Sequence, residues 1–364
     1  MGDLRDDREG GLQGDLEVLH ALVRRRDSGS RPGARTDGHR IALVVGGGGM
    51  RGAYAGGMVW ALEQAGLAPA FDVAYGSSAG AFVATALLLG HGYEASRIFP
   101  DDMASREFVD ARRLRSRQPM VSLDHLIHEI LVHSKPTDWD ALRDSPAPLN
   151  VLVTDADDMT PHALGGLPTA DDWRLAMRAT AAIPLLTGPP VELHGRRWID
   201  GSIGDPLPVA RALREGATHV LVLLTRPVPE LRRSDPAGRT PWWARSIDRL
   251  APGLGAMTQD VRRHADSLDL LADAAHPDRS GSHLFAISPE RSAGVRGLTI
   301  DVPRVELASR LGHDAAAAVL RTADPGLVLA HRPDQGVPDD AGGTDEFRDA
   351  TWSTPRRARS DRPA

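Results

Sequence analysis

The chain contains no cysteine. Disulfides, thiolate nucleophiles, iron–sulfur clusters and cysteine-based zinc sites are therefore excluded, and the composition is compatible with a reducing compartment. Lysine is almost as scarce: Lys135 stands alone, and arginine carries the rest of the positive charge. Beside abundant Ala, Gly, Pro and Asp this reads as a compositional bias, so little function is assigned to single arginines. There is no basic excess either, since the formal net charge is −6 and the sequence pI is about 6.2. A nucleic-acid binder would carry a concentrated basic surface, so no nucleic-acid partner is expected. MGDLRDDREGG at the start lacks the apolar core of a secretory signal. Asp6 stands where myristoylation requires Ser or Thr. The nearest approach to a membrane span, residues 74–92, is long enough but rich in Gly and Ser and has no flanking charged anchors, so a buried helix is expected there. These absences predict a soluble, cytoplasmic protein.

What is present alternates. At 364 residues and 41% hydrophobic, the chain suffices for one large domain or two small ones. Apolar runs at 41–45, 71–76, 148–156, 218–227 and 283–290 read as strands, and 191–201 as a hairpin turning on HGR. Helical patterns follow at 53–66, 79–89, around 94–131, 171–182, 241–275 and 305–323. Strands alternating with helices predict an α/β fold: a mostly parallel sheet sandwiched between helices, with ligands at the carboxyl ends of the strands. The polar residues 1–39 are expected to be a disordered extension with one short helix near LEVLHALVRRR, and 332–364 a disordered tail. Between them, 40–331 is expected to be one domain, with its motifs in 41–208 and a further α/β part in 209–331.

The first strand runs into GGGGMRG, residues 46–52, ahead of a helix. Gly47-x-Gly49-x-x-Gly52 matches a dinucleotide fingerprint. That chemistry also needs an acid closing the second strand to hold a ribose, and Asp72 opens that strand instead. No Lys-Ser/Thr follows the glycines, so a phosphate loop fails as well. The second strand closes on GSSAG, a G-x-S-x-G pattern centred on Ser78. Gly76 and Gly80 let the backbone turn tightly and project the serine hydroxyl at a helix N-terminus, where developing negative charge is favoured. A nucleophilic serine needs a base. His283 opens a predicted strand and His313 lies in a helix, so neither is placed as a loop-borne base. Asp200, in WIDGSIGDPLP, falls at a strand end before Gly201, whose backbone freedom would present the carboxylate in a loop.

Glycine loop with arginine, then G-x-S-x-G, then Asp-Gly beyond position 200 is the order of the patatin-like phospholipases. The chain resembles that family from Ile41 to Pro208 through GGGGMRGAYAGGMVWALEQAG, FDVAYGSSAGA, MRATAAIP and RRWIDGSIGDPLP. TRPVPELRR and the later ISPE segment resemble an uncharacterised bacterial branch. The resemblance implies a patatin-like three-layer core and a lipid acyl hydrolase with a Ser–Asp dyad, Ser78 as nucleophile and Asp200 as base. It also implies an oxyanion hole from the loop of Gly47, Gly48, Gly49, Arg51 and Gly52, centred on Gly48 and Gly49 and braced by Arg51. Lipid or another acyl ester is the expected substrate, with peripheral membrane contact and neither metal nor organic cofactor. One position departs from the family: Ser202 replaces the usual Gly or Ala after Asp-Gly, and its hydroxyl is placed to hydrogen-bond Asp200. Two other readings stay open, a non-catalytic scaffold on the same fold and a nucleotide-binding oxidoreductase using the glycine fingerprint.

Other features have plainer readings. HLIHEILVH, 125–133, lacks the spacing of HExxH, and a 100° helical step separates His128 from His133 by about 500°. TDADD, 154–158, reads as a turn, and RRR, 24–26, as a solvated helix end. Trp242 and Trp243 are read as core, with lipid contact as the alternative.

Overall fold

In the computed structural model of the chain, residues 14–184, 186–232, 269, 271 and 281–329 are described. Their centre is one eight-stranded sheet. β1 (Ile41–Val45), β2 (Val73–Ser77), β3 (Leu149–Asp155), β7 (His219–Leu223) and β8 (His283–Ile287) run parallel, with β1 between β2 and β7. Every residue of β1, β2 and β7 is buried, which is why they read as unbroken apolar runs. Alternate residues serve opposite faces. Leu43 and Val45 join the core under α1 (Glu17–Asp27), α2 (Gly52–Gln64), α3 (Ala79–Leu88), α4 (Gly92–Ile98) and the last helix. Ala42 and Val44 join a second core built with residues of α8 (Val209–Arg214). A sheet with apolar residues on both faces needs helices on both, and the mixed α/β, mostly parallel architecture follows.

The shorter helices α5 (Trp139–Arg143), α6 (Ala170–Thr180), α7 (Gly201–Gly204) and α9 (Val228–Arg232) fall between strands, and α10 (Val302–Ala323) comes last. α2 and α10 pack backbone to backbone: a Cβ on Gly57 would lie 1.9 Å from the Ser309 carbonyl oxygen. His125–Ser134 is helical but wound as a π-helix, with the Lys135 N–H reaching the Ile130 carbonyl at 2.7 Å, so the 100° step does not apply there. His128 and His133 are both exposed.

Three antiparallel strands, β4 (Pro161–Leu164), β5 (Val191–Leu193) and β6 (Arg196–Asp200), complete the sheet around β3. Val151 and Leu152 pair with both β2 and β4, whereas Val153 and Thr154 pair with both β4 and β6. β4 therefore holds one edge of β3, and β2 and β6 share the other, end to end. Of TDADD, Thr154 and Asp155 close β3, and the last three residues form the turn toward β4. The β5–β6 hairpin turns on His194 and Gly195, both at positive φ.

The expected disorder of residues 1–39 is overturned from residue 14 onward. α1 buries Val18, Leu19, Ala21 and Leu22, and Asp15 N–H bonds the Leu284 carbonyl at 2.8 Å. Within RRR, Arg24 is exposed as a solvated helix end would be, but Arg25 is not. Arg25 is 1% exposed, and all five of its guanidinium N–H donors are engaged, by Asp37, Asp72 and the carbonyls of Ala70 and His39. The helix reads as polar in sequence because its charges point at one another rather than at water. Residues 332–364, Trp242, Trp243 and nearly all of the predicted helix at 241–275 lie outside the described residues.

Candidate active site

β2 delivers the chain into the elbow. Ser78 has φ 51° and ψ −128°, a conformation that costs a residue with a β-carbon about 1–3 kcal/mol and persists only where the surroundings impose it. Here they do. The Ser78 N–H donates to Thr180 Oγ1 at 2.9 Å, and the Thr180 hydroxyl donates to the Leu152 carbonyl. A Cβ on Gly76 would lie 2.4 Å from Ala81 Cα, and one on Gly80 2.3 Å from the Val45 carbonyl oxygen. The flanking glycines are thus fixed by close approach, as the spacing predicts.

Asp200 arrives from the last position of β6. Ser77 pairs with Leu152, and Asp200 with the next residue of β3, Val153, so the elbow and the carboxylate meet where β2 stops and β6 begins. The Ser78 hydroxyl donates to Asp200 Oδ2 at 2.7 Å. Oδ1 accepts the Ser202 N–H at 2.8 Å and the Ser202 hydroxyl, the contact expected of that departure from the family. The main chain of Asp200 is held too, its N–H by the Ala182 carbonyl at 3.0 Å and its carbonyl by Thr154 Oγ1 at 2.9 Å. Asp200 is fully buried, and Ser78 is 7% exposed. Gly201 has a different reason from the one expected. It opens α7, and a Cβ there would lie 2.1 Å from the Leu152 carbonyl oxygen. Space against β3, not backbone freedom, requires glycine.

The glycine loop leaves the carboxyl end of β1. Gly49 has φ +56°, and a Cβ there would lie 2.5 Å from the Gly297 carbonyl oxygen, which accepts the Met50 N–H at 3.0 Å. Thr225, just past β7, donates to the Gly47 carbonyl at 2.8 Å. Among the described residues, the N–H groups of Gly48 and Gly49 have no hydrogen-bond partner. Two of the expected loop residues differ. The Gly47 N–H is engaged by the Pro206 carbonyl at 3.4 Å. The Gly52 N–H folds back on Gly49 and Met50, and a Cβ there would lie 2.4 Å from Phe99 Cζ. Gly52 is a packing residue at the start of α2, not a donor. Arg51 closes the turn with its N–H on the Gly48 carbonyl at 3.2 Å.

Gly47, Gly48, Gly49, Arg51, Ser78, Asp200 and Ser202 all border one cavity of about 250 Å³. Its wall continues along α3 through Phe82, Val83, Ala86 and Leu89, one apolar face at helical spacing. From Ser78 to Leu89 the helical rise gives roughly 16 Å. Phe108, Leu126 and Trp139 contribute from the other side. The cavity is therefore mostly apolar, with polar residues grouped around Ser78 and others, such as Thr85, His91 and Lys135, farther along its wall.

The remaining sequence candidates lie elsewhere. Asp72 sits at the amino end of β2, bonded to Arg25, Arg35 and the Ile41 N–H, at the opposite end of the sheet from the glycine loop. His283 bonds Asp15, and His313 bonds Gln64. Thr180, Thr154, Thr225 and Gly297 hold the site together, and sequence reading misses them. Only Thr180 had a local signal, inside MRATAAIP.

The family model described as patatin-like phospholipase matches residues 43–213. An uncharacterized protein of Escherichia coli (strain K12), YjjU, is 28% identical over 278 residues, covering 75% of each chain. Among solved structures, VipD from Legionella pneumophila is similar with a TM-score of 0.41 and 16% identity, over 78% of this chain and 67% of that one. Residues 43–213, which carry the glycine loop, the elbow and Asp200, form a domain of the patatin-like phospholipase family, a family of lipid hydrolases.

Proposed function

We propose that the chain is a serine esterase acting on lipid acyl esters. The reading rests above all on the 2.7 Å hydrogen bond from the Ser78 hydroxyl to a fully buried carboxylate, made at a strained elbow that opens on an apolar cavity. In the first half-reaction Ser78 Oγ attacks the ester carbonyl while Asp200 Oδ2 takes its proton. The negative charge that develops on the carbonyl oxygen is met by the N–H groups of Gly48 and Gly49. The Ala79 N–H adds to them, one of the donors left unpaired at the start of α3. Asp200 then protonates the departing alcohol, leaving an acyl ester on Ser78. Water, deprotonated by Asp200, attacks that ester, and the acid leaves as the proton returns to Ser78.

The acyl chain lies along α3, against Phe82, Ala86 and Leu89. No metal or organic cofactor takes part in this scheme. A lipid substrate brings the protein to a membrane surface, so the reading includes peripheral contact from the cytoplasm. Among the described residues no helix is long and apolar enough to cross a membrane.

The test is intact-mass analysis after a fluorophosphonate probe, on the native chain and on Ser78→Ala and Asp200→Asn. One adduct on the native protein is expected. It should vanish in the first variant and form about 10³-fold or more slowly in the second. A folded native chain that takes no adduct would remove the hydrolase reading.

A further inference from the structure

The other end of the sheet holds a second cluster. His39 lies two residues before β1, His219 opens β7, and Glu17 opens α1. One potential ligand atom from each of the three lies within 4.8 Å of the other two. The rings of His39 and His219 are 4.3 Å apart between centroids. His219 is 2% exposed, and its Nε2 is buried without a hydrogen-bond partner among the described residues. A buried polar nitrogen left without a partner costs about 1–3 kcal/mol and calls for a reason.

The neighbouring threonine offers an oxygen that can hold one form of this imidazole. Thr218 Oγ1 accepts the Arg40 N–H at 2.9 Å and donates its own proton to the Arg40 carbonyl at 3.4 Å. It lies 2.9 Å from His219 Nδ1. In the tautomer that donates from Nδ1 to this oxygen, Nε2 is a bare lone pair. A threonine that fixes the tautomer from behind is the support a metal-bound histidine needs. His283 stacks on His219 at 4.5 Å and is itself tied to Asp15 at 2.6 Å. The ring of His219 therefore has little freedom to turn away. Glu17 pairs through one oxygen with the half-exposed Arg24, an interaction of the class that contributes little.

We propose that Glu17, His39 and His219 form a zinc site that fastens α1 and the segment after it to the amino ends of β1 and β7. Two imidazole nitrogens and one carboxylate suit Zn²⁺, with water completing a tetrahedron. Calcium and magnesium prefer all-oxygen sets. The site lies about 20 Å from the glycine loop along β1, so its role is structural. No sequence pattern announces it, because its ligands are 22 and 180 residues apart.

The experiment uses the full chain without a histidine tag, stripped with chelator and dialysed. Zinc uptake is measured by elemental analysis, and Co²⁺ binding by its visible absorption. One equivalent of zinc and the intense bands of four-coordinate cobalt are expected. Saturating zinc should raise Tm by about 5 °C and leave fluorophosphonate labelling of Ser78 unchanged. Glu17→Gln and His39→Ala, at half-buried positions, should each weaken zinc binding at least tenfold while the fold is retained by circular dichroism. His219→Ala should abolish binding, and if it fails to fold the other two variants decide. Less than a tenth of an equivalent on the native chain, or equal uptake by the native chain and the two surface variants, would overturn the site.

Discussion

At the carboxyl ends of β1 and β2 the backbone takes positive φ at Gly49 and Ser78, and Gly48 and Gly49, which border the cavity, have N–H groups without a partner among the described residues. At the amino ends of the same two strands Arg25 has all its donors engaged, and its guanidinium holds the Asp37 carboxyl well below the usual carboxylate range. One sheet thus carries strain and open hydrogen-bonding capacity at one end, and an interlocked charge network at the other. The first arrangement is poor for stability and suited to a reacting molecule. The second restrains the chain on which the first depends. Unfavourable backbone persists where the surrounding structure over-determines it, and here the opposite end of the same strands is tied down.

The largest test of that contrast is Arg25→Met. It strands Asp37 and part of the bonding of Asp72, and should cost about 3–5 kcal/mol of unfolding free energy in urea. Ser78 labelling per folded molecule should stay the same. A loss of labelling without loss of stability would mean that the two ends are not separate devices. Thr180→Val works at the other end. It removes the acceptor of the Ser78 N–H and should cost about 1–3 kcal/mol, read as slower labelling by about 10- to 100-fold with a smaller change in Tm. The smallest effect is the most pointed. Ser78→Gly deletes the hydroxyl and relieves the left-handed strain, so it should stabilise the fold by about 1 kcal/mol relative to Ser78→Ala. Equal melting of the two variants would show that the elbow stores no strain.

Much of the site was legible because it is local. GGGGMRG after IALVV and GSSAG after FDVAY each combine a strand end, a turn and a helix start within about ten residues, and periodicity with glycine spacing reports all three. The mostly parallel sheet between helices followed from the same alternation. What was missed is non-local. Gly201 is explained by the Leu152 carbonyl, Gly52 by Phe99, and Thr225 by Gly47, each contact joining distant segments. β4 hid behind TDADD, because a short strand with exposed and half-buried residues has no apolar run to announce it. α1 was misjudged for the opposite reason, since its burial depends on acids at 37 and 72 that neutralise Arg25. A sequence window sees charges but not what they will face.

The hydrogen bond between Ser78 and Asp200 joins residues 122 positions apart, and the strand that brings them together, β3, lies between them in the chain. A polypeptide emerging from the ribosome completes the elbow long before residue 200 has been synthesised, and the carboxylate can dock only after β6 has taken the edge of β3 that β2 leaves free. Half-made chains therefore carry the serine without its partner.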